Sequence, residues 1–244
     1  MHAIEPGPFT AAWEALGRAL PRPRAIVAVS AHWYTRGSAV TAQAAPRTIH
    51  DFHGFPPELY AIQYRAPGEP RLAARLAELL APTPVQLDTD WGLDHGTWAV
   101  LRYLYPEADV PVVQLSLDAR LDAGAHYALA RRLAPLRAEG ILVLGSGNVV
   151  HNLGALVGDP AAASLGWAAS FNAAVRAAVL AGAHQRLIDY PNLDSGAALS
   201  VPTAEHYLPL LYVLALAQPG DAVRIPVDGL ELGSISMLSV QVGG

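Results

Sequence analysis

The chain contains no cysteine. That absence excludes disulfides, thiolate nucleophiles, zinc ribbons and iron–sulfur clusters, so any metal must be held by nitrogen and oxygen. Charge is also scarce: charged residues make up 15% of the 244 positions, the formal net charge is -5, and there is no dense Lys/Arg run. Capture of nucleic acid or of an anionic membrane surface is not expected, and a small neutral or weakly charged substrate suits the chain better. No apolar stretch reaches the roughly 18 residues of a membrane span. The opening MHAIEPGPFTAAWEALG lacks the basic start and continuous apolar core of a signal peptide. A cytoplasmic protein without a membrane partner is the expectation. Also missing are a G-x-S-x-G elbow, a G-x-x-x-x-G-K-[ST] loop and a G-x-G-x-x-G fingerprint, which disfavours serine hydrolysis and nucleotide chemistry.

What is present is a large apolar fraction, 52% of residues, enough for a thick core. The runs AIVAVS (25 to 30), VPVVQLSL (110 to 117) and ILVLG (141 to 145) are short and rich in β-branched residues. They read as strands buried on both faces of a sheet. Between them lie helical patterns over 8–20, 69–80, 95–104, 123–137, 167–181 and 204–217, with Asp94 and Thr203 placed to cap two of them. GSISMLSVQV near the end reads as a closing strand. With no repeat or linker, the expectation is one α/β domain over 1–244, its central mixed, largely parallel sheet flanked by helices, its chemistry at the strand ends.

Three histidines follow apolar runs: His32 in AIVAVSAHW, His151 in ILVLGSGNVVHN and His206 in SVPTAEHYLP. Imidazoles set at a sheet rim suggest a metal site, and residue type alone leaves iron, zinc, copper and nickel open. Each also has a bland reading as a hydrogen-bonded structural residue, so the argument rests on their convergence. The glycines of GSGNVVHNL permit close approach of a ligand, and Asn148 and Asn152 are placed to orient an imidazole or bound oxygen. Glu205, adjacent to His206 on a helix start, diverges by about 100° and is not expected to share its metal. His95 in GLDHGTW is a candidate proton carrier or substrate donor. His50 and His53 flank Asp51 and mimic a ligand motif but read as loop or pocket wall, while His126 and His184 read as exposed.

Taken in order, VSAHWYTRG, HDFHGFPPELYAIQY, GLDHGTWAVLRYLYP, PVVQLSLD, GSGNVVHNL and PTAEHYLPLLY resemble the class III extradiol ring-cleavage dioxygenases, in the branch like the bacterial DOPA 4,5-dioxygenases. The resemblance implies a nonheme Fe(II) enzyme that opens a catechol ring beside its two hydroxyls and inserts both atoms of O2. It implies that His32 and His206 ligate the metal, that His151 is a metal neighbour or the acid/base, and that His95 holds substrate. Trp33, Tyr34, Phe55 and Trp98 are candidate walls for a flat ring. Zn(II) is expected to be able to occupy the same site in purified protein. The family pattern also carries an upstream strand ending in a G-H-G-S-P-M-like turn whose histidine is another ligand. Met1 aligns with the methionine of that turn and His2 lies on its wrong side. The favoured expectation is a start downstream of the natural one, the alternative a variant with a weakened site. Either implies looser metal binding and impaired activity in the chain as written. Two functions compete with ring cleavage: a noncatalytic metal-binding member of the superfamily, and a zinc-dependent hydrolase.

Overall fold

The computed structural model describes residues 5–159 and 163–243, so Met1 and His2 lie outside the described residues. Five strands form the main sheet: β1 (Ala25–Thr35), β2 (Ser38–Thr41), β3 (Val85–Asp88), β4 (Val112–Asp118) and β5 (Ile141–Ser146). Their order is β3-β2-β4-β1-β5. All neighbours run parallel except β2 and β4, which are antiparallel. The expected mixed, mostly parallel α/β sheet is therefore the one found.

The runs of Val and Ile become the innermost strands because both faces are covered. Val27, Val29, Val113 and Leu115 point to one face, against the helices Pro70–Leu80 and Leu208–Leu214. Ile26, Ala28 and Val112 point to the other, against Trp98, Leu101 and Leu104 of the helix His95–Leu104. This period of two fixes where β1 delivers each residue. Asp94 caps the latter helix as its position suggests, accepting from Thr97 N at 3.0 Å.

Several expected elements are shorter. The pattern over 123–137 divides at Pro135 into helices Ala123–Arg131 and Pro135–Ala138. The last one begins as a 3-10 turn at Ala204–His206 and becomes α-helical only over Leu208–Leu214, with Pro209 in its first turn. A proline fits there because first-turn amides have no partner within the helix. Thr203 does not cap it; its hydroxyl donates to Glu205 at 2.7 Å. The closing segment is likewise not one strand. β6 (Val223–Val227) pairs with β9 (Ser239–Val242), and β7 (Leu230–Glu231) with β8 (Ile235–Ser236), in two small antiparallel sheets. At the border of the main sheet, β5 has β1 on one side and a cleft of about 250 Å³ near its other, lined in part by Leu142, Leu216 and Val242.

His126, expected on an exposed face, is fully buried. Nε2 lies 3.2 Å from the Asp118 carbonyl and Nδ1 lies 3.0 Å from the Tyr212 hydroxyl. A carbonyl only accepts, so Nε2 carries the proton and Nδ1 accepts from Tyr212. Burial lowers the affinity of this ring for a second proton. The unfolded chain then binds more protons below the ordinary value of 6.5, so stability is present above that pH and is lost as pH falls. We expect the urea midpoint to decline from about pH 7 to about pH 5, and to decline less steeply in His126→Gln. Equal slopes in the two proteins would contradict a buried neutral His126.

Candidate metal centre

β1 is inward-facing until it reaches the rim of the sheet, where His32 emerges half-buried at its C-terminal end. His95 opens the helix Asp94 caps, directly against it, the ring centroids 3.9 Å apart. Gly96 makes that approach possible, since a Cβ there would lie 2.5 Å from Ser30 Oγ and 2.8 Å from His32 Cδ2. His206 stands edge-on to His32 at 5.1 Å, and His151 stacks on His206 at 3.4 Å with planes 7° apart. Four imidazoles from four separate segments thus line one cavity of about 360 Å³.

The glycines after β5 bring His206 there. A Cβ on Gly145 would lie 2.4 Å from the Pro209 carbonyl oxygen, and one on Gly147 2.3 Å from that of His206. What approaches these glycines closely is therefore backbone rather than a ligand. Asn148 and Asn152 donate to the carbonyls of Ser236 and Leu199 at 2.6 and 2.8 Å. They pin the loop that carries His151 instead of orienting an imidazole.

The residue the sequence reading passed over is Asp51. Its Oδ1 accepts the backbone N–H of His95 at 2.8 Å, and its Oδ2 lies 3.0 Å from His95 Nδ1 and 3.5 Å from His32 Nδ1. The 3.0 Å contact is out of line for a hydrogen bond, which leaves His95 Nδ1 buried without a hydrogen-bonding partner. Donor atoms of His32, Asp51 and His95 all lie within 4.8 Å of one another. Asp51 and His95 thus stand beside His32, while the expected His151 and His206 reach the same cavity. The clue lay in HDFH, where the histidines drew attention from the aspartate between them. His50 is tied to the Ile62 carbonyl at 3.0 Å behind Phe52 and Trp98, and His53 is exposed.

Burial is the main electrostatic influence. It pushes His32 down to about 4, with His95 adding to the shift and Asp51 opposing it. It pushes His206 down to about 2, helped by His151, His32 and His95. His151 is lowered by burial too, against an opposing pull from Glu205. Burial alone would raise the Asp51 carboxyl, but His95 and His32 together bring it below its ordinary value. Neutral imidazoles beside an ionised carboxylate are the protonation states a cation requires. His206 Nδ1 is also buried with no partner, a cost that a ligand bond would remove. The donor set fits a borderline divalent metal, and nitrogen with oxygen does not choose iron over zinc.

Of the aromatic residues expected as walls, Phe55 and Trp98 line the cavity, joined by Phe52. Trp33 and Tyr34 do not. Alternation along β1 turns Trp33 away from His32, and it stacks on Trp91 at 5.6 Å. Tyr34 is exposed beyond the lining. No helix among the described residues is long and apolar enough to cross a membrane.

Asp51→Asn keeps the shape and removes the charge. Metal affinity measured by calorimetry is expected to fall about 10–100-fold; an unchanged affinity would show that Asp51 neither ligates nor orients the ligands.

Comparison with known proteins gives concordant results. Residues 9–235 match the family described as the catalytic LigB subunit of aromatic ring-opening dioxygenase. The chain is 52% identical over 247 residues to a 4,5-DOPA dioxygenase extradiol of Escherichia coli, covering 100% of this chain and 91% of that protein. It is 40% identical over 220 residues to one from Beta vulgaris, covering 88% and 81%. A crystal structure of an uncharacterized protein from Escherichia coli K12 superposes with a TM-score of 0.87 at 48% identity, over 98% of this chain and 94% of that one.

Proposed function

The chain belongs to the LigB family of aromatic ring-opening dioxygenases, enzymes of extradiol cleavage, and we propose that it uses Fe(II) to insert both atoms of O2 into a catechol. The observation that carries the finer reading is the convergence of His32, His95, His151 and His206 on one cavity beside Asp51. The relatives named for DOPA make a DOPA-like catechol the natural first substrate to assay.

In this reading His32 and His206 hold the metal, with His151 at its edge and Asp51 holding the backbone of His95 and lying beside both rings. Ferrous iron, when bound, supplies open positions for the two catechol oxygens and for O2, and a path for electron density between them. The protein does the rest. His151 is neutral at physiological pH because burial lowers it, so it is available to take the second catechol proton and return it as the ring opens. His95 donates to a substrate oxygen, its place at the helix start held by the backbone bond from its own N–H to Asp51. Phe52 and Trp98 bound the slot on the side of His95 and keep water from the reacting ring.

Anaerobic loading with Fe(II), then addition of oxygen to a catechol panel, is expected to give oxygen uptake matched to a yellow ring-opened product. His151→Ala is expected to lower kcat by about 10²–10⁴ while iron content stays near that of the parent. Iron bound without oxygen uptake on any catechol would refute the catalytic reading, and hydrolysis persisting without oxygen would replace it with another reaction.

A further inference from the structure

A second, smaller cavity of about 140 Å³ adjoins the metal cavity. It is bounded by β5, β9 and the helices Pro8–Ala19 and Leu208–Leu214. The two cavities share Trp13, Val100, Ser146, His206 and Met237, so His206 stands on the wall of both. Val213 in turn lines both the smaller cavity and the cleft at the margin of the sheet. The three spaces follow one another along β5 and the loop after it. The cleft touches residues 140–143, the small cavity 144–149, and the metal cavity Ser146, Gly147, Asn148 and His151. Together they trace a line from the surface to the imidazoles.

The wall of the small cavity is made chiefly by Leu16, Leu104, Leu144, Leu210, Val213 and Val240. Its hydroxyl and amide donors are spent on the protein itself. Ser146 Oγ donates to the Gly96 carbonyl at 2.6 Å, Asn148 Nδ2 to the Ser236 carbonyl at 2.6 Å, and Ser236 Oγ to Asn172 Oδ1 at 2.6 Å. Ser239 Oγ donates to the Met237 carbonyl at 3.4 Å. A space lined in this way holds water poorly and takes small neutral guests. It offers nothing to an ion, and a catechol would find no partners there for its two hydroxyls.

Ring cleavage needs two substrates at one metal. A catechol lying between Phe52, Trp98 and the imidazoles fills the main cavity, and the second substrate then needs another way in. Dioxygen is small, uncharged and apolar, which are the properties the smaller cavity favours.

We propose that the cavity along β5 binds dioxygen and delivers it to the His206 side of the metal centre while a catechol occupies the main cavity. This rests on the ring-cleavage reading and adds to it the place where the second substrate waits.

Xenon, an apolar gas atom that scatters X-rays anomalously, is the probe. Crystals of the zinc-loaded protein under xenon pressure are expected to show a xenon atom among Leu16, Leu144, Val213 and Val240. An ordered water chain in its place, or xenon only elsewhere, overturns the inference whether or not any catechol is cleaved. Leu16→Phe and Val240→Phe add bulk from half-covered positions that do not line the metal cavity. In whichever variant loses the xenon, kcat/KM for O2 on the Fe(II) enzyme at saturating catechol is expected to fall by about threefold or more. Iron content and kcat/KM for the catechol are expected to stay within about twofold of the parent. An unchanged dependence on O2 in a variant that has lost xenon overturns the route. Xenon bound as expected with no oxygen uptake from any catechol upholds the cavity as a gas site and defeats the ring-cleavage reading instead.

Discussion

A single carboxylate, Asp51, accepts the backbone N–H of His95 and sets its second oxygen against Nδ1 of both His95 and His32. Two rings that arrive from a strand end and a helix start both present Nδ1 to the acid, and Nε2 makes no protein hydrogen bond among the described residues. Everything else about the site follows from keeping that arrangement dry enough to stay ordered and polar enough to attract a cation. Crowding imidazoles into one cavity is tolerable only while they are neutral, and burial favours that form of His32, His151 and His206. The same neutrality leaves lone pairs exposed, so the feature that prevents mutual repulsion is the one that creates ligands.

Beneath these rings lies a second carboxyl that never reaches the cavity. Asp94 is fully buried and receives hydrogen bonds from Thr97 N and from the Gln114 amide. Gln114 in turn accepts from Thr97 Oγ1 at 3.0 Å, and its own N–H donates to Thr41 Oγ1 at 2.8 Å. The helix that starts with His95 is thus anchored to β4 and β2, not merely packed on them. Ser30 extends the support to the neighbouring strand, its hydroxyl oxygen accepting from His32 N at 3.2 Å. A polar network of this kind fixes one arrangement where apolar packing alone would permit several.

How much of this could be read from residues alone divides along physical lines. The inner strands were legible because burial on both faces demands continuous apolar residues, and His32, His151 and His206 were legible because each breaks such a pattern. β2 and β3 were not, being four residues each with no such run, Gln86 and Leu87 of β3 even facing solvent. Asp51 escaped because the path of a loop has no periodicity, and only the fold reveals that residues 51 and 95 meet. Other misses had signals within reach. Pro135 and Pro209 mark helix breaks, and the alternation of β1 already placed Trp33 opposite His32. His126 was misread because the polar neighbours on its helix suggested solvent, whereas its ring nitrogens find partners on Asp118 and Tyr212 inside the core.

The border strand β5 has a consequence of a different kind. Among the described residues its outward amides and carbonyls bond to no other strand, and Leu142 and Val143 beside them are half-covered. A six-residue β-ribbon left open on one side is a template, and templates recruit. Compared with β3 at the opposite margin, which has four residues and a more polar outline, it presents the longer row of vacant backbone groups. Its half-covered side chains keep that row from open solvent, so the margin that could lengthen the sheet is shielded on the same strand whose far end delivers the loop of His151.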